Sequence, residues 1–147
     1  MMARSALKHA VLDASVIVDL LVHPVSTSLL ARLIDDPDVE LHVPMLCDVE
    51  VAAALRRTLR RGQSDLTVAT EKLGRYLDLD LSRYEHEPIL ERALQLHENF
   101  TLYDAVYVAL AEVLGVSLLT ADIGLARAAR THTTVDVIEA TSWGPTA

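Results

Sequence analysis

Two aspartates follow closely on apolar segments of this sequence, and that position makes both candidates for catalysis or metal binding. Asp13 comes directly after His9–Leu12, and Asp122 follows Val116–Thr120 with one residue between. If both segments are strands of a parallel sheet, their carboxyl ends meet at one edge, which is where such sheets bind ligands. Either aspartate alone could equally be a helix N-cap. Two aspartates in the same setting favour a shared site over independent capping.

A third aspartate, Asp104, lies in the first turn of a segment predicted to form a buried helix. Leu102–Leu114 is apolar nearly all round, a pattern typical of a helix enclosed by the rest of the protein. An acid in the first turn interacts favourably with the helix dipole, so a structural role is the alternative. Burying a lone carboxylate is costly, however, unless a cation or hydrogen bonds replace its hydration. We therefore favour a functional role for Asp104.

The remaining candidate, Glu50, is weaker when judged from the residues alone. It lies within Met45–Arg61, which the sequence predicts to be a helix beginning just after Pro44. An exposed Glu50 would pair with Arg56 or Arg57 on the same helix, and this alternative is the stronger one for the residue taken by itself.

A cluster of these carboxylates would have a definite chemistry. Two unit charges about 4 Å apart repel by roughly 4 kcal/mol at an effective dielectric near 20, so the cluster would take up protons or recruit cations. Oxygen-only ligands select hard ions such as Mg²⁺ or Mn²⁺. Such ions activate water and stabilise the leaving oxygen when a phosphodiester is cut. The sequence thus suggests a hard-metal site suited to an acidic polymer.

The elements that must position these side chains alternate between strand and helix. The predicted strands are His9–Leu12, Val39–Val43, Asp78–Leu81, Val116–Thr120 and Val135–Ile138. The predicted helices are Ala14–Val22, Ser26–Asp35, Met45–Arg61, Leu66–Leu77, Glu87–His97, Leu102–Leu114 and Ile123–Arg130. This alternation predicts an α/β fold with a central, mainly parallel sheet and helices on both faces.

Composition limits the remaining possibilities. The chain has 147 residues, 51% of them hydrophobic, which is enough for one domain with a sizeable core. The net charge of −8 is unusual for a nucleic-acid binder, because phosphate contacts need Lys and Arg. Cys47 is the only cysteine and is expected to be a small buried residue. We expect a cytoplasmic protein, and the longest apolar runs are too short to predict a membrane span.

Four short motifs, in order and at their spacing, resemble the PIN-domain nucleases, and among them the VapC-type toxins of type II toxin–antitoxin pairs. The resemblance covers about residues 9–138 and implies a single PIN-like domain of three-layer α/β/α architecture. The motifs are Asp13-x-Ser15 after an apolar strand, Pro44 with Glu50 and Leu55, Leu102-x-Asp104-Ala105 continuing to Ala109-Leu110-Ala111, and Leu118-Leu119-Thr120-x-Asp122 followed by Leu125.

The resemblance also implies roles for individual residues. Asp13, Glu50, Asp104 and Asp122 would gather Mg²⁺ or Mn²⁺, which reverses our preference for an exposed Glu50. Ser15 and Thr120 would orient carboxylates of the cluster. One departure is that Ile123 and Gly124 follow Asp122, where some relatives carry a further acid, so a second firmly held metal is less expected.

Resemblance further implies the substrate and the partners. VapC-type toxins cleave structured RNA, often tRNA or ribosomal RNA, and thereby arrest translation. They are commonly homodimers that a cognate antitoxin silences within a heterotetramer or larger assembly. The apolar stripes of Ser26–Asp35 and Leu66–Leu77 are first of all core, and in this family such helices also form a groove for the antitoxin. Trp143 is expected to pack on the body of the protein or in the dimer.

The only dense basic run lies at the end of the helix that carries Glu50. Arg56, Arg57 and Arg60 could contact RNA phosphates beside the cleft, or could simply interact with the carboxyl end of the helix dipole. The two interpretations are evenly matched. The six histidines show no spacing typical of a helical metal site, and His97 is expected at the surface.

Two other functions remain as alternatives. A phosphotransfer protein that is phosphorylated on Asp13 would need a second acid beside it, but Ala14 and Ser15 occupy those positions. A catalytically silent PIN-fold binding module would not need the complete set of four acids. Both alternatives are therefore less favoured than a nuclease.

Overall fold

The computed structural model describes residues 7–23 and 29–140, and strands and helices alternate through them as the sequence predicts. The strands are β1 (His9–Leu12), β2 (Glu40–Pro44), β3 (Leu81–Tyr84), β4 (Ser117–Thr120) and β5 (Val137–Glu139). The helices are α1 (Ala14–Val22), α2 (Leu29–Asp35), α3 (Leu46–Arg60), α4 (Leu66–Leu77), α5 (Glu87–Gln95), α6 (Leu102–Leu114) and α7 (Ile123–His132).

All five strands pair in parallel, in the order β3-β2-β1-β4-β5. Ala10 of β1 pairs with Leu41 of β2 on one side and with Ser117 of β4 on the other. Strand β1 is therefore central, and its Ala10, Val11 and Leu12 are fully buried, which explains why it is apolar on both faces.

Helices cover both faces of the sheet and complete a three-layer α/β/α fold, as predicted. On one face α1 packs against α2, α3 and α4, while α5 and α6 pack together on the other. Helix α6 is the most enclosed, since Ala105–Ala111 is buried throughout, but both of its ends are open to solvent. It begins at the cap Thr101, whose side chain accepts a hydrogen bond from the Asp104 amide at 3.1 Å.

The predicted boundaries of β3 are wrong. The apolar pattern placed this strand at Asp78–Leu81, but Asp78 is the C-cap of α4 and the strand is Leu81–Tyr84. Strand β3 lies at the edge of the sheet, where one face and one edge are less enclosed, so it does not need an apolar run.

Where other boundaries of the described elements differ from prediction, they do so by one or two residues, as is usual at the ends of elements. The helix predicted from Ser26 is described only from Leu29, and residues 24–28 lie outside the described part, as does Trp143. Within residues 7–23 and 29–140, no helix has both the length and the apolar character needed to cross a membrane.

Candidate active site

The four predicted carboxylates line one cleft at the carboxyl edge of the sheet. The cleft has a volume of about 450 Å³, and its lining includes Asp13, Glu50, Asp104, Asp122 and Arg57. It lies where β1 and β4 are neighbours. From β1 the chain turns toward β2 and from β4 toward β5, in opposite directions along the sheet. Parallel sheets bind ligands at such points, because the diverging connections leave a crevice between them.

Asp13 is the most deeply buried of the four acids, with 7% of its surface exposed. It occupies the N-cap position of α1, but its side chain makes no capping hydrogen bond. Its Oδ2 instead accepts hydrogen bonds from Ser15 Oγ at 2.6 Å and from Thr120 Oγ1 at 2.8 Å. Both bonds fall on Oδ2. The capping alternative for Asp13 is therefore wrong.

The two hydroxyls are themselves held by the backbone after β4. Ser15 Oγ accepts from the amide of Ala121, and Thr120 Oγ1 accepts from the amide of Asp122, both at 3.0 Å. A carboxylate can only accept, so each hydroxyl donates its own proton to Asp13 while its oxygen accepts from an amide. The structure thus places Ser15 and Thr120 where the resemblance implied, between the first and last acids.

Asp122 has a capping role in addition to its place in the cleft. Its Oδ1 accepts a hydrogen bond from the Leu125 amide at 3.1 Å, which caps α7. The side chain is exposed at the rim of the cleft. Asp122 therefore both caps α7 and lines the cleft.

Asp104 is less buried than the apolar sequence of its helix suggested. Residues Ala105–Ala111 are enclosed, but Asp104 precedes them in the first turn and is half-buried at the cleft. Partial burial and then the negative charges of Asp13, Asp122 and Glu50 raise the pKa of Asp104 to about 6. These charges act on Asp104 because the four acids line the same cleft.

Glu50 lines the cleft and is half-buried. Its Oε1 accepts a hydrogen bond from Tyr107 at 2.6 Å, and within residues 7–23 and 29–140 Glu50 forms no ion pair with Arg56 or Arg57. Burial raises the pKa of Glu50, as does the charge of Asp13, while the bond from Tyr107 and the charge of Arg57 lower it. The exposed, ion-paired alternative for Glu50 is wrong.

Sequence reasoning missed Tyr107 entirely. This side chain is fully buried and lies three residues after Asp104, which places both on the same side of α6. That spacing was visible in the sequence, but it did not reveal that Glu50, 57 residues away, is the partner. A further acid, Asp19, was also missed and lines the cleft from α1 as an exposed side chain.

Only one of the three predicted RNA-binding arginines lies in this cleft. Arg57 contributes to the lining, whereas Arg56 and Arg60 do not and are exposed near the end of α3. Arg57 and Arg60 are in the last turn of α3, where their charges also complement the helix dipole.

The donor set of the cleft fits a hard divalent cation. Of the described residues that line it, every one with a metal-binding side chain is an aspartate or a glutamate, and none is a histidine or a cysteine. Desolvation raises the pKa of Asp13, and the charge of Asp122 raises it further. A dication would offset the repulsion that raises these pKa values, and oxygen ligands of this kind suit Mg²⁺ or Mn²⁺.

Comparison with known proteins identifies related chains over most of the sequence. The family model of the PIN domain matches residues 10–131. Ribonuclease VapC1 of Mycobacterium tuberculosis is 38% identical over 119 residues, which are 80% of this chain and 89% of that protein.

Two crystal structures share the fold at low sequence identity. VapBC2 from Rickettsia felis, bound to a DNA fragment from their promoter, has a TM-score of 0.64 at 12% identity, over 89% of this chain and 98% of that chain. VapC20 of Mycobacterium tuberculosis, a Sarcin-Ricin loop cleaving toxin, has a TM-score of 0.59 at 14% identity, over 81% and 94% of the two chains.

Proposed function

This chain belongs to the PIN domain family, among the VapC ribonucleases, and from that premise we propose that it is a divalent-metal-dependent endoribonuclease and the toxin of a toxin–antitoxin pair. The observation that carries the proposal is the convergence of Asp13, Glu50, Asp104 and Asp122 on one cleft. These acids come from four different elements or their ends, so local capping or surface solvation does not account for their meeting.

The four carboxylates are the residues that would hold Mg²⁺ or Mn²⁺. When bound, such an ion activates water for attack on the phosphodiester and balances charge on the departing oxygen. The protein's own contribution is to fix its ligands. Ser15 and Thr120 orient Asp13, and Tyr107 orients Glu50. Because these hydrogen bonds already orient the carboxylates, less conformational entropy is lost when the substrate binds.

Arg57 is suited to hold a phosphate of the substrate beside the acids. It is exposed in the same cleft, so its guanidinium can pair with a backbone phosphate while the metal neutralises the carboxylates. Arg56 and Arg60, farther along the exposed end of α3, would extend this contact along the RNA.

We propose structured RNA, tRNA or ribosomal RNA, as the substrate, with arrest of translation as the result. Support comes from VapC20, whose description names the sarcin-ricin loop as what it cleaves. Among the described residues, those that line the cleft include no aromatic side chain on which a base could stack. Selection by the shape of a folded RNA is therefore favoured over reading of single-stranded bases.

Cognate antitoxin and a second copy of the chain are the proposed partners, in a heterotetramer or larger assembly in the cytoplasm. The similarity to the VapBC2 structure supports such an assembly. The net charge of −8 is compatible with a basic segment of the antitoxin reaching the acidic cleft.

The proposal is tested by RNA cleavage with the purified chain, free of antitoxin, in Mg²⁺ or Mn²⁺ and in chelator. We expect metal-dependent cleavage by the wild type and a loss of at least about 100-fold in Asp104→Asn. Asp38→Asn is the matched control, since it removes an equal charge from an exposed turn. Mapping RNA ends in cells after brief expression of each variant then identifies the target.

Two outcomes would contradict the proposal. If Asp104→Asn cuts RNA as fast as the wild type, the site is misassigned. If Mn²⁺ neither raises the melting temperature nor supports cleavage, the chain is a binding module with a PIN fold.

A further inference from the structure

A second group of metal-binding side chains lies at the opposite end of the sheet from the acids. His9 and Glu40 are paired in register on β1 and β2, and His42 lies two residues after Glu40, so all three project from one face. His9 Nδ1 is 3.2 Å from His42 Nε2 and 3.5 Å from Glu40 Oε2. The four-residue separation of His9 from Asp13 corresponds to about 13 Å of strand, so the two groups are distinct.

These distances match those between ligands of one small cation. Bonds of about 2.0–2.1 Å to a tetrahedral Zn²⁺ place neighbouring ligand atoms about 3.3–3.4 Å apart. Two imidazoles and one carboxylate also select a borderline ion such as Zn²⁺ over Mg²⁺. The chemistry of this group therefore differs from that of the all-carboxylate cleft.

One ligand is held rigidly and the other two are free to adjust. His42 is 5% exposed, and its Nδ1 lies 2.8 Å from the Tyr84 hydroxyl, which fixes the ring with Nε2 toward His9. A hydrogen bond from the other ring nitrogen is the usual way in which proteins orient a metal-binding histidine. The side chains of His9 and Glu40 are 47% and 68% exposed, so packing does not prevent their movement.

The two histidine rings also contact each other. Their rings are within 13° of parallel, and the short distance between Nδ1 and Nε2 indicates a hydrogen bond between them. The nitrogens are already at the spacing that a cation requires.

We propose that His9, Glu40 and His42 bind one borderline divalent cation, with Zn²⁺ the preferred ion and solvent at the remaining position. The cation joins β1 to β2 and, through Tyr84, to β3. Because the unfolded chain does not hold these side chains together, binding stabilises the folded state by mass action. This proposal is independent of the nuclease function.

The test is calorimetric titration of the tag-free chain with Zn²⁺ in excess Mg²⁺, which competes at the acidic cleft. We expect one Zn²⁺ per chain, a rise in melting temperature, and a visible absorption spectrum of tetrahedral character when Co²⁺ is substituted. His9→Gln should weaken Zn²⁺ binding by about tenfold or more. The matched control His97→Gln, an exposed histidine outside the group, should bind as the wild type does.

His42→Gln should also lose Zn²⁺ binding if this variant folds. If it does not fold, His9→Gln still tests the proposal, because His9 is exposed and its replacement should not disturb the fold. Unchanged Zn²⁺ affinity in His9→Gln overturns the proposal. So does Zn²⁺ binding that disappears in Asp104→Asn but persists in His9→Gln, since the ion would then occupy the acidic cleft.

Discussion

At the scale of single residues, hydrogen bonds to the carboxylates of Asp13 and Glu50 influence how readily these two acids ionise. Asp13 receives both hydroxyl protons on Oδ2, and Glu50 receives the Tyr107 proton on Oε1. Each bond stabilises the charged form of its acid and so acts against the burial that raises the acid's pKa. Removing such a donor should shift the acid further toward its protonated form, which cannot bind a cation.

Tyr107→Phe should therefore shift the pH dependence of RNA cleavage. Without the hydroxyl, the pKa of Glu50 rises further, so the acidic limb of kcat/KM against pH moves to higher pH. At alkaline pH, where Glu50 is ionised in both proteins, the rates should converge. Tyr103→Phe, which removes a hydroxyl from an exposed position in the same helix, should leave the profile unchanged. An unshifted profile in Tyr107→Phe would show that this bond does not position Glu50.

Thr120→Val should affect stability as well as activity. The nearly isosteric valine removes the donor to Asp13 and the acceptor for the Asp122 amide in a fully buried position. Leaving buried polar groups without partners costs about 1–3 kcal/mol of unfolding free energy, measurable by urea denaturation in chelator. Thr131→Val is the control, since its hydroxyl donates to an exposed helix carbonyl. A loss no greater than that of Thr131→Val would contradict this account of Thr120.

At the scale of elements, three of the four acids lie at the ends of helices and strands. Asp13 and Asp122 stand between a strand and the helix that follows, and Asp104 lies in the first turn of α6. An N-terminal turn suits a carboxylate, because the unpaired amides there favour negative charge. Asp122 combines a structural role with its place in the cleft, and the two roles can be separated experimentally.

Asp122→Ser and Asp122→Ala distinguish these roles. Serine preserves an oxygen that can accept the Leu125 amide, whereas alanine does not. We expect Asp122→Ser to retain nearly all of the unfolding free energy and Asp122→Ala to lose about 1 kcal/mol. Both should lose metal binding, as followed by Mn²⁺ titration. If serine restored metal binding along with stability, the carboxylate of Asp122 would not be a ligand.

At the scale of the whole molecule, the acid cluster makes the global stability depend on pH and on cations. The pKa of Asp104 is about 6 in the folded protein, against 3.8 for an ordinary aspartate. Between these values the unfolded chain releases its proton first, so stability falls as the pH rises from about 4 to about 6 and then levels off. A divalent cation would counteract the loss by favouring the ionised cluster.

Asp104→Asn should therefore be more stable than the wild type in chelator near about pH 7.5, by about 1–2 kcal/mol. The difference should disappear near about pH 3, below both pKa values, where Asp104 is protonated in the folded and in the unfolded state. Urea denaturation at the two pH values, with and without Mg²⁺, measures it. Equal unfolding free energies of the wild type and Asp104→Asn at the higher pH would mean that the charge of Asp104 does not destabilise the folded protein. Mg²⁺ should stabilise the wild type more than the variant.

The sequence by itself determined the α/β class, most of the helices and strands, the positions of Asp13, Asp104 and Asp122 at the ends of elements, and that of Glu50 within a helix. These features depend on local periodicity, caps and turn residues, which a short window of sequence contains. It failed at β3, because an edge strand lacks the apolar run of a central one.

Only the tertiary structure decided which local features meet. Strand order and register bring Thr120 to Asp13 across 107 residues, Tyr107 to Glu50 across 57, and His42 to His9 across 33. The packing of α3 likewise directs Glu50 and Arg57 into the cleft while Arg56 and Arg60 stay outside it. Such contacts depend on pairing between distant strands and on the faces that helices bury, and neither is encoded within a single element.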